Sequence, residues 1–95
     1  MKWRLVVTPK VQTTLRVLPP QTKRYVREAL EELRKDPWSG KPLRDQLAGL
    51  FSLRTRRFRI VYRIERNLVT VIVVGFGHRK TIYEELTEEI PRPMQ

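Results

Sequence analysis

The chain contains no cysteine. That absence removes disulfides, thiolate nucleophiles and cysteine-ligated zinc together. A fold that needs no disulfide is compatible with the cytoplasm, which is the expected location. The single histidine, His78, cannot build a multi-histidine metal site. No apolar stretch approaches the roughly 20 residues of a membrane span. The start, Met1-Lys2-Trp3-Arg4, alternates charge and bulk, unlike a signal peptide. No membrane partner is therefore expected. Glycine is scarce, and Gly75-Phe76-Gly77 does not amount to a phosphate-cradling loop. No serine lies in a nucleophile-elbow pattern.

Negative charge is also scarce. Twenty Lys and Arg face ten Asp and Glu, a formal net charge of +10 over 95 residues. This length holds one domain, residues 1–95, and the 40% hydrophobic content suffices for a small packed core. Fourteen of the cations are Arg, whose planar fork suits phosphate oxygens. The charge is uneven. Residues 50–83 carry net +7, whereas residues 84–95 carry net −3. A polyanion is the first partner to consider, with nucleic acid ahead of an acidic membrane surface or an acidic protein.

Hydrophobic spacing gives the element order. Trp3, Leu5 and Val7 alternate with Arg4, Val6 and Thr8 and predict a strand with one clearly apolar face. Thr8-Pro9 opens a helix, and Val11, Leu15 and Leu18 lie on one face of it. Pro19-Pro20 ends that helix and starts another. Its apolar face is Tyr25, Val26, Ala29, Leu30 and Leu33. Residues 36–49 read as a loop, with Leu43 and Leu47 as anchors and Trp38 as a further one. Phe51 to Arg56 and Phe58 to Ile64 alternate as two strands. Glu65-Arg66-Asn67 reads as a hairpin turn, and Leu68 to Val74 as a strand covered on both sides. Gly75-Phe76-Gly77 loosens the chain before a short amphipathic helix, Thr81 to Glu89. The expected fold is α+β in the order β-α-α-β-β-β, a mainly antiparallel sheet packed on a helical hairpin. The partner of the first strand is left open.

Residues i and i+2 of a strand share a face, about 6.6 Å apart. Arg57, Arg59 and Arg63 therefore fall opposite Phe58, Ile60 and Tyr62. Ser52, Arg54 and Arg56 fall opposite Phe51 and Leu53. Six Arg within residues 54–66 have only Glu65 as a local counter-charge. Such an array either blunts aggregation as a solvated sheet face or grips a run of phosphates. No carboxylate pair stands near these arginines, which argues against a two-metal nuclease. Arg, His and Tyr can still promote RNA cleavage, because RNA carries its own 2′-hydroxyl nucleophile. The protein then orients the backbone, neutralises the phosphorane and helps move protons.

Three segments carry a resemblance: Leu53-Arg54, Phe58-Arg59-Ile60-Val61-Tyr62, and Gly77-His78-Arg79-Lys80-Thr81-Ile82-Tyr83. With them, nearly the whole chain resembles the RelE/ParE superfamily of type II toxin–antitoxin toxins, and the RelE type most. The resemblance implies a RelE-like fold and ribosome-dependent cleavage of mRNA in the A site. It implies 2′-hydroxyl attack without a metal or other cofactor. An acidic antitoxin, the ribosome and mRNA are the implied partners, and the toxin alone is expected to be monomeric. Carried onto this chain, Arg59 and Arg79 match phosphate-stabilising arginines. Tyr83 matches the residue that orients or deprotonates the 2′-hydroxyl or stacks on substrate. Arg54 matches the arginine of the Leu-Arg pair, and His78 is a candidate general acid. Arg56, Arg57, Arg63 and Lys80 complete the expected RNA-binding set.

The sequence departs from the family at two positions. The best-studied RelE type carries two lysines on the strand before the Leu-Arg pair, where this chain has Leu50 and Ser52. That loss leaves room for a ParE-like inhibitor of DNA gyrase, or for a non-catalytic binding module. Plainer roles also stand: a surface His78, a core-capping Tyr83, core positions for Trp3 and Tyr62, packing for Phe76, and a solvated face of Glu84, Glu85, Glu88 and Glu89.

Overall fold

The computed structural model describes residues 2–89; the side chains of Arg79, Lys80 and Glu89 lie outside that description. The elements are β1 (Arg4–Val7), α1 (Pro9–Arg16), α2 (Pro20–Lys35), β2 (Lys41–Pro42), β3 (Phe51–Thr55), β4 (Phe58–Glu65), β5 (Thr70–His78) and α3 (Arg79–Glu89). The expected α+β order is present, including the short C-terminal helix, which starts two residues earlier at Arg79; a two-residue edge strand, β2, is added to it. The sheet runs β1-β5-β4-β3-β2, parallel only between β1 and β5. The first strand therefore pairs with the last, a contact between residues about 66 positions apart that local pattern does not encode.

Proline sets both helix starts. Pro9 and Pro20 open α1 and α2, where a missing N–H costs nothing. The hairpin of α1 and α2 covers one sheet face. Val11, Val26, Ala29 and Leu33 meet Ile60, Tyr62, Val71, Val73 and Phe76 there. Each fully buried aliphatic side chain stabilises the fold by about 1.5–3 kcal/mol.

The opposite face has its own smaller core. Val61, Ile82 and Leu86 pack there with Leu43, Leu47, Leu50, Val74 and Tyr83. The loop anchors thus serve the α3 side. That loop is more ordered than its composition suggests. Asp36 accepts a hydrogen bond from the Trp38 amide at 3.1 Å, capping a tight turn over Pro37–Ser39. Tyr62 Oη donates to the Pro37 carbonyl at 2.6 Å and accepts from the Gly40 amide at 3.2 Å. A Cβ at Gly40 would overlap the Tyr62 hydroxyl, so only glycine fits.

Strand β5 extends beyond Val74 to His78, which corrects the reading of residues 75–77 as a loosened segment. A bulge explains this. Val61 pairs with Gly75 and Tyr62 with Val73, so Val74 is the extra residue. The bulge returns Phe76 to the hairpin side and turns Gly75 and Gly77 toward α3. A Cβ on Gly75 would sit 3.0 Å from Leu86 Cδ1 and 3.1 Å from Ile82 Cδ1. The glycines are the seat of α3, not a hinge.

Candidate active site

The site lies on the α3 face of the sheet, toward the β3–β4 turn. Two cross-strand rows build it. Ser52, Val61 and Gly75 form one row; Arg54, Arg59 and Gly77 form the next. Arg54 and Arg59 are direct partners in the β3–β4 ladder. Like charges placed opposite one another repel. Among the described residues no carboxylate lies within 4.0 Å of either guanidinium.

Helix α3 brings the remaining groups. Ile82 and Leu86 seat it on the glycine track. Tyr83, next to Ile82, then reaches across to β3. Its hydroxyl lies 2.8 Å from Ser52 Oγ, in a contact spanning 31 residues of sequence. Ser52 is only 2% exposed, so this bond satisfies a buried hydroxyl. Ser52 and Arg54 share a face one strand step apart, about 7 Å. The phenol is therefore anchored beside the arginine pair. Arg79 opens α3 one helical turn before Tyr83.

Two guanidiniums next to a fixed phenol can grip a phosphate and orient a hydroxyl beside it. Among the described residues no group of three His, Cys, Asp or Glu side chains is placed to share a metal.

This arrangement coincides with a family match. Residues 5–83 match the model for the ParE toxin of the type II toxin–antitoxin system parDE. The chain belongs to the RelE/ParE superfamily of toxins. It is similar to Toxin RelG of Mycobacterium tuberculosis (strain ATCC 25618 / H37Rv), at 38% identity over 85 residues, covering 87% of this chain and 98% of that protein. The toxin–antitoxin complex RelBE2 from the same species superposes with a TM-score of 0.76 at 34% identity, covering 83% of this chain and 93% of that one. A mutant of the E. coli toxin RelE in the free state shares the fold. Its TM-score is 0.75 at 22% identity, with 96% and 100% of the two chains covered.

The toxin fold divides the arginines that alternation had grouped. Arg54 and Arg59 stay together on the α3 face. Arg56 and Arg57 form the turn between β3 and β4. Arg56 adopts a left-handed backbone, φ 56°, and its guanidinium lies over the Tyr25 ring on the hairpin side at 4.7 Å. Arg63 shares the face of Arg59 but sits beyond Val61, which α3 covers; it pairs with Glu65 at 3.0 Å. The Glu65 segment itself closes with a tight turn over Arg66–Leu68 and a left-handed Val69.

His78 is not brought to this site. It is the register partner of Phe58, and its ring lies 4.8 Å from the Phe58 ring, on the hairpin face. Phe76 packs against Phe58 from within, 7% exposed, which excludes it as a free stacking platform. Trp38 is half exposed, edge-on to Phe51 and under Arg66. Glu84, Glu85 and Glu88 are exposed. Arg79 and Lys80 open α3, with side chains outside the described set.

Sequence reasoning missed the role of Ser52. Its place on the Arg54 face was visible, but its bond to Tyr83 depends on how α3 docks. It missed the glycine seat for the same reason.

Proposed function

We propose that this toxin is a ribosome-dependent mRNA endonuclease. It cleaves the message in the A site by attack of a ribose 2′-hydroxyl, and so stops translation. The observation that carries this reading is the Arg54–Arg59 pair, opposed across β3 and β4 with no carboxylate within 4.0 Å among the described residues, and one strand step from the Tyr83–Ser52 bond.

In this reading Arg59 and Arg54 bind the non-bridging oxygens of the scissile phosphate. They stabilise the charge that builds on the phosphorane. Tyr83 orients the 2′-hydroxyl. The 2′-hydroxyl gives its proton to water, and the 2′-oxygen forms a bond to phosphorus as the bond to the 5′-oxygen breaks, leaving a cyclic phosphate. Arg79 stabilises the departing 5′-oxygen, which takes its proton from water. Lys80 adds charge at the start of α3. His78, on the far face, has no part in the proton transfers.

An antitoxin is the proposed regulatory partner. Support comes from the similar RelBE2 structure, which was solved as a toxin–antitoxin complex. The net charge of +10 favours an acidic segment over the arginines.

Primer extension on a message translated by purified ribosomes tests the reading. The wild-type toxin is expected to cut within the A-site codon, and Arg59→Ala to lose about a hundredfold in rate. Absence of cuts with wild-type protein would remove the proposal. A second reading, inhibition of DNA gyrase, is favoured by the ParE family match and by Leu50 and Ser52 at the lysine positions. A supercoiling assay separates it from the first.

A further inference from the structure

On the hairpin side of the β3–β4 turn, Thr22, Tyr25, Arg54, Arg56, Arg57 and Phe58 line an open cleft of about 550 Å³. Three guanidiniums meet two aromatic rings there. None of the three has a carboxylate within 4.0 Å among the described residues. Glu28, one turn along α2, does not line this cleft; it borders the adjoining one with Arg24 and Arg56.

The cleft is built before any ligand arrives. Tyr25 and Phe58 stack with centroids 6.4 Å apart, and Phe58 stacks in turn on Phe76 at 4.9 Å. The rings are thus fixed from below by the core. Tyr25 holds the Arg56 guanidinium over its face at 4.7 Å. Arg54 Nε donates to the Arg56 carbonyl at 3.2 Å, which ties β3 to the turn. The left-handed Arg56 backbone is a conformation a non-glycine residue adopts at a cost of about 1–2 kcal/mol. The exposed ring of His78 extends the same aromatic row.

We infer that this cleft binds one unpaired nucleotide of a single-stranded nucleic acid. The base stacks on the outer face of the Arg56 guanidinium, with the edges of Tyr25 and Phe58 as the wall beside it, and its phosphate lies on Arg57. Rings and guanidinium planes are the surfaces on which unpaired bases stack. An acidic peptide would use the arginines but not the aromatic wall. A lipid surface would need an apolar rim, and among the described residues the exposed large hydrophobic ones, Val6, Val17, Trp38, Leu68 and Val69, lie elsewhere. Arg54 also faces Arg59 on the other side of the sheet, so one strand can pass from the α3 face around the turn into the cleft. The inference concerns binding alone and stands whether or not the strand is cut.

The test is fluorescence anisotropy of the intact protein with labelled RNA pentamers, one complete and one abasic at its centre. The complete pentamer is expected to bind about fivefold or more tightly, as stacking of one base implies. Arg56→Asn combined with Arg57→Ser should weaken it about tenfold and erase the difference. Asparagine tolerates the left-handed backbone, so the variant should melt like the parent. Ring-proton resonances of Tyr25 should shift on adding the complete pentamer. Equal binding of the two pentamers, a difference that survives in the double variant, or unmoved Tyr25 resonances would overturn the inference. Displacement of the pentamer by free AMP at equal concentration would overturn its assignment to a strand. A base-dependent gap without A-site cuts would defeat only the cleavage proposal.

Discussion

The Tyr83 hydroxyl and the Ser52 hydroxyl lie 2.8 Å apart, and this bond latches α3 to the middle of β3. It turns a helix seated by apolar contacts into one with a defined lateral position. The phenol that the cleavage proposal needs is thereby set beside Arg54 and Arg59. Serine suits the site because it is small enough for a position that is 2% exposed.

The latch can be cut from either end. Ser52→Ala is expected to cost about 1 kcal/mol in urea unfolding, the usual net worth of one hydrogen bond. Tyr83→Phe should cost a similar amount. Its effect on cleavage should be larger than that of Ser52→Ala, because it removes the group placed at the substrate. Ser52→Lys restores the charge found in the best-studied RelE type but forces an ammonium into a buried position. It should destabilise by about 2 kcal/mol or more and raise hydrogen exchange in α3.

The opposed arginines make stability and activity diverge. Arg59→Gln relieves like-charge repulsion across the ladder. It should raise stability by a few tenths of a kcal/mol in low-salt thermal melts. The gain should fade at high salt, where the charges are screened. The same substitution should abolish most cleavage and lower the salt dependence of ribosome or RNA binding. A loss of stability on Arg59→Gln would mean that the guanidinium serves the fold.

The two glycines of β5 should differ in tolerance. Gly75→Ala places a methyl 3.0–3.3 Å from Ile82 and Leu86 side-chain carbons. It should cost about 1–3 kcal/mol and loosen α3. Gly77→Ala meets Ile82 only at 3.6 Å, an ordinary contact, and should be milder. Denaturation midpoints and exchange rates in α3 measure both.

Tyr62 gives the fold an alkaline limit. Burial, opposed by the Gly40 amide bond and reinforced by Asp36, pushes its pKa from 10.0 up to about 12. The native state therefore keeps a proton that the unfolded chain releases between those values. Its contribution, roughly 2–3 kcal/mol, is complete below pH 10 and is lost as pH rises toward 12. Stability measured against pH should fall across that window. Tyr62→Phe should flatten the slope there, and cost about 1–3 kcal/mol at neutral pH by leaving the Pro37 carbonyl and Gly40 amide unpaired.

Much of the molecule is legible in its sequence. Pro9 and Pro20 mark the helix starts because ring geometry acts locally. The Val11 and Val26–Leu33 spacing marks the buried helix faces because helix period is local too. Alternation over Phe58–Ile64 sets Arg59 and Arg63 opposite the hairpin core. Other features are not legible. The pairing of β1 with β5, the seating of α3 on Gly75 and the Ser52–Tyr83 bond join residues distant in sequence.

His78 and Arg56 show where the boundary falls. The sequence by itself determined the residue types, the element order and the period-two alternation that makes an arginine face. Only the tertiary structure decided which side chains share that face. From Val71 and Val73, strict alternation would place His78 with Arg59. The bulge at Val74 shifts the phase by one residue and turns His78 to the opposite face. The left-handed turn at Arg56 likewise takes that residue off the Arg54 row and lays it on Tyr25. A bulge and a turn are fixed by the packing on both sides of the sheet, which neither segment contains alone.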